Sequence, residues 1–246
     1  MSYGAAVRKV ISKLRERHPR FVPLTPRILL YAPAEHCSKL VVLENRGSRG
    51  YFTVEWRINI MCEPDARTGI SLGRSWGLVG RSTRFKPKGQ GGLFEVDDPT
   101  MADDFADQIE AEVMPLFDSL DTFGKTVEFV SAHQYFPIGS WVPWRALMRA
   151  ACGDIPEAQR LWRSCDTDQV QCRVPQTWPD HGNYDEWCRV AEPLMDGDRA
   201  ALAKLLHEWE QREVLGTKLE RYWTSMPFPL ETIPSIGPSG PKTSEG

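Results

Sequence analysis

The residues best suited to acid–base or metal chemistry lie together in residues 178–187. Asp180, His181 and Asp185 stand close to one another there, and two carboxylates beside an imidazole can hold a cation or exchange protons. Trp178 and Trp187 flank them, so the segment is also typical of an exposed loop that aromatic rings anchor between helices. The loop is the preferred interpretation, and the three residues are kept as candidates for an acid–base or metal-binding role.

His36 lies between Glu35 and Cys37, and these three residues could form a nucleophile site. A cysteine nucleophile works with an adjacent base, and that base needs a third group to orient it. No orienting group stands nearby in the sequence. A loop is therefore again the preferred interpretation.

Other reactive motifs are absent from the sequence. There is no Gly-x-Ser-x-Gly elbow for a serine nucleophile, no Cys-x-x-Cys pair, and no two histidines at metal-binding spacing. Residues 86–92 combine lysines with glycines and could cradle an anion, but no Gly-Lys-Ser/Thr follows them, so an ordinary loop is preferred. The sequence predicts no catalytic residue, no metal and no cofactor, and it favours a protein that is not an enzyme.

Charge is distributed unevenly along the chain. Residues 1–90 hold 17 basic and 6 acidic side chains, while residues 91–246 hold 13 basic and 27 acidic ones. The two parts carry net charges of +11 and −14, which together give the −3 of the whole chain. Such a split indicates a basic surface for a polyanion, an acidic surface for a basic partner, or two parts that neutralise each other.

The basic first part supports a hypothesis of nucleic-acid binding. Phosphate contacts need cations, and base stacking needs exposed aromatic rings such as that of Tyr51, which falls on the polar face of its strand. No RNA-binding sheet motif or helix-turn-helix motif accompanies them. The candidates for nucleic-acid or anion binding are Arg46, Arg49, Arg57, Arg84, Lys86 and Lys88.

The elements that position these residues follow from hydrophobic spacing. Residues 2–18 carry apolar side chains at every third or fourth position, which predicts an amphipathic helix that lies against a sheet. Three prolines in residues 19–26 predict an extended connection. Alternation over residues 51–60 predicts a strand with one buried and one wet face, and further strands are predicted at 39–44, near 70–79 and near 83–85.

Helical patterns follow beyond residue 100. Gly-Asp turns at Gly153 and Gly197 resemble each other, and they predict two helical hairpins, either ordinary ones or copies of a repeat. The fold class is therefore α+β, with an N-terminal helix packed on an antiparallel β-meander of about four strands and a mainly helical C-terminal half. The predicted organisation is an α+β domain over 1–135, a helical subdomain over 136–225, and an extended or disordered tail rich in Pro, Ser and Gly over 226–246.

The sequence carries no sign of a membrane segment or a secretory signal. No apolar stretch approaches the roughly 20 residues needed to span a bilayer, and residues 1–18 lack a continuous apolar core. The six cysteines are scattered, which predicts reduced thiols. These features predict a cytoplasmic protein without membrane contact.

The order of basic amphipathic helix, meander centred on residues 51–60, and helix over residues 103–120 resembles bacterial families of domains of unknown function. The resemblance covers residues 1–135, rests on layout, and implies a bacterial cytoplasmic protein without implying an activity. The first hypothesis for function is a non-enzymatic interaction protein, of inhibitor or immunity type, whose acidic helical half binds a protein partner. The alternatives are a nucleic-acid-binding module that uses the basic half, and an enzyme with a site near His181.

Overall fold

An antiparallel sheet forms the centre of the first half of the molecule. The computed structural model describes residues 2–45, 50–64, 75–81, 93–133, 142–164 and 184–232. Five strands follow one another in the order β1-β2-β3-β4-β5, and β6 pairs with the start of β4. The strands are β1 Phe21–Thr25, β2 Ile28–Tyr31, β3 Cys37–Glu44, β4 Tyr51–Ile60, β5 Ser75–Val79 and β6 Leu93–Glu95.

Helices precede and follow the sheet, which confirms the predicted α+β class. They are α1 Tyr3–Arg17, α2 Met101–Gln108, a π-helical turn Ile109–Val113, α3 Met114–Ser119, α4 Phe123–Ala132, α5 Val142–Ala151, α6 Ile155–Ser164, α7 Tyr184–Asp196, α8 Arg199–Val214, a 3₁₀ turn Glu220–Tyr222 and α9 Pro229–Thr232. Among the described residues, no helix is both long and apolar enough to cross a membrane.

The meander contains one hairpin that the sequence did not indicate. Residues 19–26 were expected to be an extended connection, but they contain β1, which pairs with the following strand β2. Pro23 is tolerated because β1 is an edge strand, where a missing N–H costs no ladder hydrogen bond. The predicted strand at 83–85 lies outside the described residues, and of residues 70–79 the described part is β5.

Both faces of the sheet are covered over its central strands. Along β3, Val41 and Leu43 belong to the larger hydrophobic cluster, which also contains the buried face of α1, while Leu40 and Val42 belong to a second cluster. The second cluster also contains Val214 and other residues of the C-terminal segment. The expectation that β4 has one wet face is therefore wrong for its buried residues Thr53 and Glu55.

The two Gly-Asp turns adopt the same local structure. Gly153 and Gly197 have positive φ values of 90° and 69°, a conformation in which glycine ends a helix without a steric penalty. Asp154 and Asp198 then begin the next helices, because each side chain accepts a hydrogen bond from the N–H three residues further on. The turns join α5 to α6 and α7 to α8, as the sequence predicts.

The larger hydrophobic cluster includes residues from the sheet and from the helical hairpins. The predicted boundary near residue 135 lies outside the described residues. Residues 226–232 belong to the predicted extended or disordered tail, and they pack against the rest of the chain through the buried side chains of Phe228 and Leu230. The remaining residues, 233–246, lie outside the described part of the chain.

Candidate functional site

A cavity of about 300 Å³ lies where the start of β3 faces the connection between α3 and α4. This volume is at the lower end of the range of small-molecule sites. Arg20, His36 and Lys39 line it from the side of the sheet, and Asp118, Thr122 and Phe123 line it from the side of the helices. The cavity therefore brings together a cation, an imidazole and polar side chains.

His36 is held firmly in the wall of this cavity. The residue is 5% exposed, and its Nδ1 lies 3.3 Å from Oε2 of Glu210. One face of the ring stacks on Phe228 at 3.8 Å between centroids, and Phe123 meets the ring edge-on at 5.3 Å. Because Nδ1 faces the carboxylate, Nε2 is the ring nitrogen left for a ligand.

Glu210 is the orienting group that local sequence did not reveal. It lies on α8, 174 positions from His36, and it is fully buried. Its Oε1 accepts a hydrogen bond of 2.9 Å from the indole N–H of Trp223, and Nδ1 of His207 lies 3.7 Å from its Oε2. A carboxylate in this position favours the neutral His36 tautomer that carries its proton on Nδ1 and leaves Nε2 able to accept one.

Two other reactive side chains beside His36 are unsuited to nucleophilic attack. Burial raises the pKa of the Cys37 thiol far above its usual value, so the reactive thiolate is scarce at neutral pH. Burial also lowers the pKa of Lys39, but its Nζ donates to the carbonyl oxygens of Phe117 and Leu120, both at 2.6 Å. Lys39 therefore stabilises the end of α3.

The first turn of α4 lines part of the cavity. Thr122 is the N-cap, and its hydroxyl oxygen accepts from the N–H of Lys125 at 3.3 Å. The N–H of Phe123 stands at the first helical position, where no acceptor within the helix exists. Such a group can stabilise negative charge on a bound molecule. Phe123 lines the same cavity as the His36 ring.

The rim of the cavity is an ion-pair network. Arg20 donates to Asp118 at 3.2 Å and to the Tyr31 hydroxyl at 2.8 Å, and Tyr31 donates to Asp118 at 2.7 Å. Burial, together with the hydrogen bond to Asp118, raises the pKa of Tyr31 to about 12. The phenol therefore stays neutral and acts as a fixed donor at physiological pH.

Apart from His36, the candidates from the sequence that the structure describes do not line this cavity. Arg57 is half-buried and donates to Glu55 at 2.8 Å and to Glu44 at 3.1 Å. Its positive charge is therefore neutralised by two glutamates of the sheet. Asp185 is exposed near the start of α7. The remaining candidates lie outside the described residues: Arg46, Arg49, Arg84, Lys86, Lys88, Asp180 and His181.

Part of the charge split is neutralised by ion pairs within the described residues. Eleven of the 27 acidic residues beyond residue 90 lie in residues 95–128, and several of them face α1. Lys13 pairs with Asp103 at 2.9 Å, and Arg17 pairs with Asp107 at 2.7 Å and Glu110 at 3.1 Å. The hydrogen bond from Lys13 lowers the pKa of Asp103 below its usual value.

A buried pair extends the same pattern to the end of β5. Arg81 contacts Asp104 at 2.6 Å and Asp98 at 2.7 Å, and the Asp104 side chain is fully buried. The third interpretation of the charge split, mutual neutralisation, therefore accounts for these basic residues. The ion pairs of α1 are partly exposed, so they cancel charge between the two parts of the chain but add little to the stability of the fold.

The described residues contain no group of three or more His, Cys, Asp and Glu side chains placed to hold a metal ion.

No family model, no curated protein and no solved structure matches this chain.

Proposed function

We propose that this protein is an enzyme that binds a small ester in the cavity and hydrolyses it with His36 as the general base. The observation that carries the proposal is the buried pairing of His36 with Glu210 at 3.3 Å in the wall of a ligand-sized cavity. A histidine that a carboxylate orients is the usual acid–base group of such enzymes. The proposal differs from the sequence-based preference for a non-enzymatic protein, because the orienting group is distant in sequence.

The reaction follows from the groups that surround the ring. Because the Cys37 thiol is protonated and Lys39 is hydrogen-bonded to carbonyl oxygens, the nucleophile is water. Nε2 of His36 takes a proton from water, the oxygen of that water forms a bond to the ester carbon, and the carbonyl oxygen becomes negatively charged. The N–H of Phe123 can stabilise this oxyanion.

The second half of the reaction returns the proton. The bond from carbon to the leaving-group oxygen breaks, and the imidazolium of His36 gives its proton from Nε2 to that oxygen. Glu210 accepts a hydrogen bond from Nδ1 throughout and stabilises the imidazolium while it exists. The products are an acid and an alcohol, and the protein is unchanged.

The proposal is tested with the purified full chain and a set of p-nitrophenyl esters of short carboxylic acids. We expect His36→Gln to lower kcat/KM by at least about 100-fold, the usual contribution of general base catalysis. His133→Gln is the matched control, because His133 is exposed and stacks on Phe129 away from the cavity lining. Turnover that survives in His36→Gln, or no turnover of any ester by the wild type, would refute the proposal.

The two binding hypotheses remain predictions from the sequence. Binding of a basic protein partner and binding of nucleic acid both depended on exposed, unpaired charge. The internal pairs of Arg17, Arg57 and Arg81 weaken that argument, and they favour the cavity as the site to test first. A bacterial origin and a cytoplasmic location likewise stay expectations from the sequence.

A further inference from the structure

The segment that follows α8 returns across the back of the His36 site. This segment, residues 222–232, is named the C-terminal strap here. Its start pairs with the chain just before His36: the N–H of Ala34 donates to the carbonyl of Tyr222, and the N–H of Thr224 donates to the carbonyl of Ala34, both at 2.9 Å. The strap is therefore joined to the stretch of backbone that carries the proposed base.

Two side chains of the strap contact the acid–base pair directly. Phe228 is fully buried and stacks on the His36 ring with an interplanar angle of 20°. Trp223 donates its indole N–H to Glu210 at 2.9 Å. One strap residue therefore limits the rotation of the imidazole, and another fixes the carboxylate that orients it.

The strap has its own attachments to α8. Glu231 accepts from the N–H of Phe228 at 2.6 Å and lies 2.9 Å from Nε2 of His207. Arg199 donates to the carbonyl of Leu230 at 2.9 Å. These contacts hold Phe228 against His36, although the sequence assigns residues from 226 onward to an extended or disordered tail.

We propose that Phe228 and Trp223 are positioning residues, and that the C-terminal strap fixes the reactive orientation of His36. The inference rests on the proposed function in taking His36 as the reacting group. Neither residue lines the cavity, so neither needs to touch a substrate. They act through the ring and through Glu210, and undocking of the strap would leave the cavity in place with a mobile base.

The test measures the reactivity of the His36 ring itself, without a substrate. The full-length protein is treated with diethyl pyrocarbonate, and the rate of modification at each histidine is followed by mass spectrometry. We expect Phe228→Ala to raise the rate of modification at His36 about fivefold, because the loss of one aromatic stacking contact corresponds to a factor of about that size. The rate at exposed His133 should not change, so it serves as an internal reference.

Two further variants keep the inference falsifiable. Phe94→Ala removes an equally buried ring that stacks on Phe52 rather than on His36, so it controls for general loosening of the core. Trp223→Phe removes the N–H donor but keeps a ring, and we expect it to raise the His36 rate about twofold by freeing Glu210. The inference is overturned if Phe228→Ala leaves the rate unchanged or if Phe94→Ala raises it equally.

Failure of this inference can be separated from failure of the proposed function. If no ester is hydrolysed but Phe228→Ala still exposes His36, the strap positions the ring and the assigned reaction is wrong. If esters are hydrolysed through His36 while the strap variants leave its modification rate unchanged, the reaction stands and the positioning role is wrong.

Discussion

Replacing Glu210 with glutamine tests the geometry of the site most directly. The wild-type carboxylate accepts two hydrogen bonds, from His36 Nδ1 on Oε2 and from Trp223 Nε1 on Oε1. A glutamine of the same shape has one accepting oxygen and one donating NH₂ group. Because an indole N–H can only donate, the amide oxygen must face Trp223, and the NH₂ group must face His36.

The consequence for His36 is a change of tautomer. Nδ1 must accept from the new NH₂ group, so the ring proton moves to Nε2, which then has no lone pair for a substrate proton. Since both hydrogen bonds can persist, we expect the free energy of unfolding to fall by only about 1–2 kcal/mol. Loss of the base should lower kcat/KM on the order of 10³-fold or more, as a wrong tautomer does in a catalytic triad.

The tautomer can be observed by NMR with ¹⁵N-labelled histidine, in which two-bond correlations distinguish a protonated ring nitrogen from an unprotonated one. The His36 signals are assigned by their loss in His36→Gln, and spectra are compared at alkaline pH, where the neutral ring is observed. Glu208→Gln is the matched control, because Glu208 is two positions away on α8 and pairs with Arg189 at the surface. An unchanged tautomer in Glu210→Gln would show that Glu210 does not orient the ring.

Two further predictions concern packing and thiol chemistry. Gly77→Ala should lower the free energy of unfolding by about 1–3 kcal/mol, because a Cβ there would lie 2.6 Å from the Trp56 ring. Denaturant titration measures this free energy, and Gly80→Ala is the control because a Cβ at Gly80 has no neighbour within 4 Å. An equal loss of stability in both variants would contradict the prediction. Iodoacetamide at about pH 8 should label the exposed Cys188 and leave Cys37 unlabelled, because burial raises the pKa of the Cys37 thiol. Comparable labelling of both cysteines in mass spectra of the folded protein would disprove this prediction.

The locally encoded parts of the fold were predictable from short segments. The spacing of Val7, Val10 and Leu14 predicts the buried face of α1, and all three are buried. The alternation over Tyr51–Ile60 predicts β4 within its observed bounds. Periodicity reports such elements because the geometry of a helix or strand relates neighbours in sequence to one face.

Features that depend on distant contacts were predicted less well. The polar side of β4 was expected to be exposed to solvent, yet Glu55 is 4% exposed. Residues 226–246 were assigned to an extended or disordered tail by their composition, yet Phe228 and Leu230 of the strap are buried. Composition cannot report such contacts, because it contains no information about which surfaces meet.

By itself, the amino-acid sequence determined the fold class and the main helices and strands, and it raised His36 only as part of a nucleophile site that a loop explained better. The tertiary structure gave the His36 ring an orienting partner, by placing Glu210 beside it across 174 positions. It also decided that the opposite charges of α1 and α2 meet within one molecule. The reason is physical: acid–base chemistry and charge neutralisation depend on distances in space, and packing sets those distances after the local elements have formed.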